Sequence, residues 1–144
     1  MGLLGDRIAA GFPLPDRRGA PRTRLVRQWT GAWDHFDAHS WAPAAMAGGT
    51  WQAPSQAAAA FGESALTSLT EAGLGPADSA RAYSALWHLL LGQLLDAHPH
   101  GHPNAEGNAA DYPALHRARS RLAKPKPRAD YLWALNRLLD GILG

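Results

Sequence analysis

Two histidines on one predicted helix have a spacing that is typical of metal sites, and no other pattern in this sequence points as clearly to chemistry. His35 and His39 lie four residues apart, which places both imidazole rings on one face of a helix, as in many metal sites. The neighbouring Asp34 and Asp37 do not supply the Glu of a His-Glu-x-x-His motif, and no third ligand is in register. We therefore interpret the pair as a solvated helix end, where the helix dipole stabilises a cationic imidazole.

Three further histidines, His98, His100 and His102, alternate with proline and glycine in the segment His-Pro-His-Gly-His-Pro. Histidine-rich tracts can chelate metals, but a loop rich in glycine and proline does not hold its side chains in a fixed geometry. We interpret the segment as a flexible connector that titrates near neutral pH. The sequence leaves open whether this loop binds a metal.

The motifs of the common enzyme classes are absent from the sequence. Because there is no cysteine, disulfides, thiolate nucleophiles, iron–sulfur clusters and cysteine-ligated zinc are excluded. There is no Gly-x-Ser-x-Gly elbow and no phosphate-binding loop, and the candidate acids within predicted apolar helices are Glu63 and Asp96. We therefore predict no catalytic residue and no cofactor. An enzyme that uses His35 and His39, or His88, as base or metal ligand is the alternative.

The elements that position these residues are predicted to be helices throughout. The 144 residues include 29 alanines and 20 leucines but one valine and two isoleucines, and alanine and leucine favour helices whereas strands favour β-branched residues. The length suits one domain with its own core. We predict a single all-α domain over residues 1–144.

The charge of the chain does not indicate nucleic acid or membrane as a partner. The net charge is +2 and the pI is about 9.4, because twelve of the fourteen cations are arginine. No apolar run approaches the roughly 20 residues of a membrane span, and the first residues lack the order of charged, apolar and small residues that is typical of a signal peptide. We therefore predict a soluble cytoplasmic protein. The densest cationic segment has few aromatic residues and is interpreted as a solvated loop; its arginines are Arg17, Arg18, Arg22, Arg24 and Arg27.

Apolar residues recur at spacings of three and four between proline and glycine breaks, which is typical of amphipathic helices. Gly73 lies where left-handed helix caps are common. A short turn is predicted over residues 44–47. The predicted helices cover residues 3–10, 23–39, 55–72, 77–98, 112–122 and 129–143.

Two of these helices, 77–98 and 129–143, are apolar on more than one face. An edge helix of this kind needs a partner, because large exposed apolar patches are unusual on monomers. We predict a homodimer in which both helices pair with their symmetry mates as a four-helix bundle. The alternative is that the second face packs under residues 99–128. The predicted interface residues are Tyr83, Leu90, Leu94, Leu132, Leu135, Leu139 and Ile142.

Several short segments are informative through their order along the chain. They are 3–9 (LLGDRIA), 14–16 (LPD), 37–41 (DAHSW), 66–74 (LTSLTEAGL), 80–87 (ARAYSALW), 91–92 (LG), 112–115 (YPAL) and 135–141 (LNRLLDG). In this order they resemble the C-terminal domain of TetR-family transcriptional regulators, specifically the tetracycline-repressor-like subclass. The resemblance covers nearly the whole chain. It implies about six helices, dimerisation through a four-helix bundle, and a small-molecule effector.

The chain departs from this family in two places. Residues 1–22 match the linking helix and loop. We therefore expect the chain to lack the family's N-terminal helix-turn-helix domain and DNA binding to occur only through such a domain in a longer protein. If Gly49-Thr50 is aligned with the family's Gly-Thr pair, Ala47 lies where a histidine ligates drug-bound magnesium. The resemblance therefore implies an effector other than magnesium–tetracycline.

The resemblance places an effector pocket inside each subunit, between the helices at 23–39, 55–72 and 77–98. We predict that aromatic side chains form its apolar walls and that Ser84 and His88 orient the effector. The alternative is that the aromatic residues form an ordinary core. The predicted lining residues are Trp29, Trp33, Phe36, Trp51, Phe61, Ser84, Trp87, His88 and Leu91.

The sequence thus predicts the effector-sensing and dimerisation domain of a TetR-like transcriptional repressor. Its partners would be a small apolar or aromatic molecule and a second copy of the chain. Besides the enzyme considered above, a purely structural dimerisation module without a pocket is the remaining alternative.

Overall fold

The computed structural model describes residues 16–39, 56–97 and 110–144. These residues form five α-helices and no strand, which confirms the predicted all-α fold. None of these five helices is both long enough and apolar enough to cross a membrane. The regions predicted over residues 3–10, 44–47 and 98–102, and Trp51, lie outside the described residues. The helices are α1 (Pro21–Asp37), α2 (Gln56–Glu71), α3 (Pro76–Ala97), α4 (Pro113–Ala123) and α5 (Pro127–Leu143).

Proline marks the start of four of these helices. Pro21, Pro76, Pro113 and Pro127 are each the first helical residue, a position where the missing N–H has no intrahelical partner and the fixed φ already suits a helix. The apolar periodicity predicts later starts for α1 and α5, at residues 23 and 129. The predicted starts are two residues late because apolar periodicity indicates the buried face of a helix and not the position of its first turn.

A Schellman motif at Gly73 ends α2. Gly73 has a φ of +108°, its N–H donates to the carbonyl of Thr70 at 2.9 Å, and the N–H of Leu74 donates to the carbonyl of Leu69 at 3.2 Å. These two bonds satisfy carbonyls of the last turn, and they require a left-handed residue, which glycine adopts without a Cβ clash. The predicted cap at Gly73 is confirmed.

Replacing Gly73 by Ala is expected to lower the free energy of unfolding by about 1–2 kcal/mol, because a Cβ disfavours the left-handed backbone. Urea denaturation followed by circular dichroism measures the effect. Gly75→Ala is the matched control, since a Cβ at Gly75 meets no atom within 4 Å and the backbone there is not left-handed. Equal stability of the two variants would contradict the assigned cap.

The core is built around α1, which packs against α2, α3 and α5, while α3 and α5 pack extensively against each other. Fully buried residues recur at spacings of three and four, as expected when one stripe of each helix faces the interior. In α1 these residues are Leu25, Trp29, Ala32, Trp33 and Phe36; in α3 and α5 they are Leu86, Leu90, Leu94, Tyr131, Leu135 and Leu139.

Arginines of α1 and of the loop before it connect this helix to its neighbours. Arg22 pairs with Asp140 of α5 at 2.7 Å, and Arg24 pairs with Glu71 at the end of α2. The Arg22–Asp140 pair is exposed and contributes at most about 1 kcal/mol, whereas the Arg24 side chain is largely buried beside Glu71. The other arginines of the cluster also contact carboxylates: Arg17 contacts Glu71, and Arg18 and Arg27 contact Asp16.

Candidate functional site

Aromatic side chains from α1, α2 and α3 meet in one cluster. The ring centroid of Trp29 lies 5.1 Å from that of Phe61 and 5.2 Å from that of Trp87, both in edge-to-face geometry. Phe36 and Tyr83 lie beside Trp87, with centroid separations of 6.2 and 6.3 Å. The structure thus brings together four of the predicted lining residues, Trp29, Phe36, Phe61 and Trp87. It adds Tyr83, which the sequence assigned to the dimer interface.

Trp33 lies on the α5 side of α1. Its ring stacks on that of Tyr131, with centroids 4.7 Å apart and an interplanar angle of 19°. The hydroxyl of Tyr131 donates to the backbone carbonyl of Trp29 at 3.0 Å. Sequence reasoning did not include Tyr131 in the site. The available signal was its spacing of four from the buried Leu135, which places both on one face of α5.

Burial raises the pKa of Tyr131 far above its ordinary value. The folded chain therefore keeps the phenol proton to a higher pH than the unfolded chain does. The resulting stabilisation is complete below about pH 10 and is lost as the pH rises above it.

The free energy of unfolding is therefore expected to fall above pH 10 by up to about 1.4 kcal/mol per pH unit through Tyr131. Tyr131→Phe has no such proton to lose, so its stability is expected to fall less steeply. Urea denaturation of both chains between pH 7 and pH 11 measures the difference. Parallel curves would contradict the assignment.

The polar residues predicted to orient an effector do not lie with the aromatic cluster. Ser84 and His88 are exposed, because they lie on the face of α3 opposite the buried stripe that contains Leu86 and Leu90. Leu91 is half-buried between the two faces. Besides the Tyr83 hydroxyl and the Trp87 indole of α3, polar groups close to the aromatic rings come from one other element.

That element is α1, where polar atoms are buried without a hydrogen-bond partner among the described residues. They include the indole Nε1 of Trp29, the indole Nε1 of Trp33 and the amide Oε1 of Gln28. Burying one unpaired polar atom costs about 1–3 kcal/mol. Sequence reasoning missed Gln28, although a polar residue on the apolar face of α1, next to Leu25 and Trp29, was the signal for it.

The residues predicted for the dimer interface differ in burial. Leu90, Leu94, Leu135 and Leu139 are 0% exposed within the single chain, and Tyr83, Leu132 and Ile142 are half-buried. The first four contact the core of their own chain. A second chain would therefore meet the residues next to them on the outer faces of α3 and α5.

A groove of about 340 Å³ lies between α3 and α5 on these outer faces. Asp78 and Arg81 form an ion pair of 3.2 Å at its wall, and most of the remaining lining is aliphatic. Its lining residues are Leu74, Asp78, Arg81, Ala82, Ala85, Leu138 and Ile142. The groove is an apolar surface that the described chain leaves open.

The His35 and His39 rings lie 5.0 Å apart at the end of α1. The ring Nδ1 of His39 contacts the backbone carbonyl of His35 at 2.9 Å, and Asp34 is engaged by Arg128 at 2.9 Å. Within residues 16–39, 56–97 and 110–144, no three His, Cys, Asp or Glu side chains are grouped so as to hold a metal. In this part of the chain the pair supplies two ligands at most.

No family model matches this chain, and no curated protein matches it. A solved structure does match: that of a TetR transcriptional regulator from Streptomyces coelicolor, with a TM-score of 0.75 and 19% sequence identity. The match covers 99% of this chain and 74% of that chain. At this identity the likeness concerns the fold. The chain therefore has a TetR-like all-α fold, as the resemblance in the sequence implied.

Proposed function

We propose that this chain is the effector-sensing and dimerisation domain of a TetR-like transcriptional regulator, a repressor that acts in the cytoplasm. The buried aromatic cluster of α1, α2 and α3 is the observation that carries the proposal. An interior with aromatic walls and few polar groups suits a small apolar or aromatic molecule. The TetR-like fold supports a regulatory role in preference to an enzymatic one.

The contacts of α1 suggest how binding would reach the rest of the protein. Trp29 packs against Phe61 of α2 and Trp87 of α3, so a molecule inserted among these rings displaces α1 from one of its neighbours. The Arg22–Asp140 pair joins α1 to α5, so such a displacement would extend to α5. The effector shifts the population only through its different affinities for the two arrangements.

The regulated step would be DNA binding by a helix-turn-helix domain in the full-length protein. Dimeric regulators of this kind read two half-sites, so the separation of the two DNA-binding domains decides whether both engage. A change at the α3 and α5 faces, where we place the second subunit, would alter that separation.

The second subunit would cover the outer faces of α3 and α5 in a symmetric four-helix bundle. Leu138 and Ile142 supply apolar surface there, and Ala85 and Gly92 leave room for a neighbouring helix. Sedimentation equilibrium at micromolar concentration is expected to show a dimer. A monomer at all concentrations would contradict this part of the proposal.

A thermal-shift screen tests the effector proposal. A library of apolar and aromatic compounds is expected to contain members that raise the melting temperature in proportion to the logarithm of their concentration. Stabilisation by zinc or nickel alone would favour the alternative of a small helical enzyme that uses His35 and His39. Stabilisation by no compound and no metal would favour the purely structural dimerisation module.

A further inference from the structure

Four buried polar atoms of α1 have no hydrogen-bond partner in the described part of the chain. One is the Nε of Arg24, whose guanidinium is paired with Glu71 through another nitrogen. The other three belong to Gln28, Trp29 and Trp33. Trp29 and Trp33 are 0% and 1% exposed, and the Nε1 of each indole has no acceptor. Gln28 is 3% exposed, and its Oε1 has no donor. Trp29 belongs to the aromatic cluster, Gln28 contacts Phe61 of that cluster, and Trp33 lies one turn further along α1 on the side of Tyr131. Two free donors and one free acceptor in such a core point to a missing polar group.

Several polar atoms beside the aromatic rings do have partners, in contrast to the free atoms of Trp29, Trp33 and Gln28. The Trp87 indole hydrogen-bonds to the Tyr83 hydroxyl, and the Tyr131 hydroxyl donates to the Trp29 carbonyl. The Nε2 of Gln28 donates to the Phe61 carbonyl at 2.8 Å. If the oxygen and nitrogen of the Gln28 amide were exchanged, the amide oxygen would face the Phe61 carbonyl oxygen, and two acceptors cannot form a hydrogen bond. The bond from Nε2 to Phe61 therefore fixes Oε1 as the free atom of the amide.

The two indole donors belong to residues four positions apart on one face of α1, about one helical turn from each other. A molecule lying along this face would have an oxygen acceptor within reach of one or both indoles. The charge around the face argues against an anion, since the one largely buried cation on this helix, Arg24, is paired with Glu71. A buried carboxylate would lack a compensating charge.

We propose that the effector is a neutral aromatic molecule with a carbonyl-type oxygen, which accepts hydrogen bonds from the indoles of Trp29 and Trp33. This inference rests on the proposed function and specifies the chemical class of its ligand. A donor group on the same molecule, such as a hydroxyl, would satisfy Gln28. The aromatic body would pack against Phe61 and Trp87.

Matched pairs of rigid probes test this assignment: fluorene with fluorenone, and xanthene with xanthone. In each pair the ketone adds one acceptor to the same ring frame. By calorimetric titration, the ketone is expected to bind at least tenfold more tightly than its partner. Trp29→Phe and Trp33→Phe keep an aromatic ring but remove the N–H. At least one of these variants is expected to reduce the preference to threefold or less.

Control probes and spectra separate the possible outcomes. Indole N–H resonances, assigned through the two Phe variants, are expected to move when the ketone is added. Equal binding of ketone and parent compound, or a preference that survives in both variants, would overturn this inference and leave the proposed function standing. Tighter binding of fluorene-9-carboxylate than of fluorenone would overturn the neutral class. Failure of all these probes and of the thermal-shift library would overturn the proposed function itself.

Discussion

Trp29→Ala is expected to lower the free energy of unfolding by about 3–5 kcal/mol. Trp29 is fully buried and its ring lies in edge-to-face contact with Phe61, Tyr83 and Trp87, side chains from two other helices. Removing the indole leaves a cavity at the point where α1, α2 and α3 meet, and these rigid rings cannot close it fully. Domains are stable by only about 5–15 kcal/mol, so the loss is a large part of the total.

Urea denaturation measures this loss, and Trp133→Ala is the matched control. Trp133 lies on α5 and is 66% exposed, so its removal is expected to change stability by no more than about 0.5 kcal/mol. The difference between the two variants therefore gives the loss of stability that is due to burial of the Trp29 indole. A Trp29→Ala variant within 1 kcal/mol of the control would show that the cluster does not hold the three helices together.

Ala85→Glu is expected to weaken dimerisation by about 100-fold or more. Ala85 is half-buried and lines the groove between α3 and α5, where an open path to solvent lets a glutamate fit on the isolated chain. In the proposed bundle the same carboxylate would be buried on each subunit, and the nearest cation of the groove, Arg81, is already paired with Asp78. Such a charge costs several kcal/mol, and each 1.4 kcal/mol is a factor of ten in affinity.

Ala80→Glu is the control for this substitution. Ala80 lies on the same helix but is exposed and lies about 140° around the helix axis from Ala85, so the added charge stays in water. Sedimentation equilibrium of the two variants gives their dissociation constants, and circular dichroism shows that both keep the helical fold. If Ala85→Glu dimerises as well as Ala80→Glu, the second subunit does not cover this groove.

The helices were predictable because their signals are local. Apolar spacing gives the buried face of each helix, Pro76 marks a start, and Gly73 marks an end through its left-handed backbone. The apolar spacing leaves Pro21 and Pro127 outside the predicted helices, although their fixed φ is suited to the first helical turn. Two starts were therefore placed two residues late.

The assignment of residues to core or interface was less predictable, because periodicity does not distinguish the two. Leu90 and Leu135 belong to helices that are apolar on several faces, and only the packing of α3 on α5 shows that both are covered within one chain. The prediction that Ser84 and His88 orient an effector rests on residue type alone, and their position on α3 exposes both side chains to solvent.

Local sequence patterns do not predict contacts between positions that are far apart in the chain. Arg22 pairs with Asp140, 118 positions away, and the hydroxyl of Tyr131 reaches the carbonyl of Trp29, 102 positions away. No local spacing indicates either contact. The sequence predicts a solvated loop for the five arginines near the start of α1, whereas three of them lie in that helix and all five contact carboxylates.

The central claim is that the aromatic cluster binds the effector, and calorimetric titration of Trp87→Ala tests it most directly. Trp87 is half-buried, so it can be replaced with less damage to the core than Trp29 or Trp33. The titrant is the compound that gives the largest thermal shift with the unaltered chain. The dissociation constant is predicted to rise at least tenfold in the variant while sedimentation still shows a dimer. Equal dissociation constants for the two chains would contradict the claim.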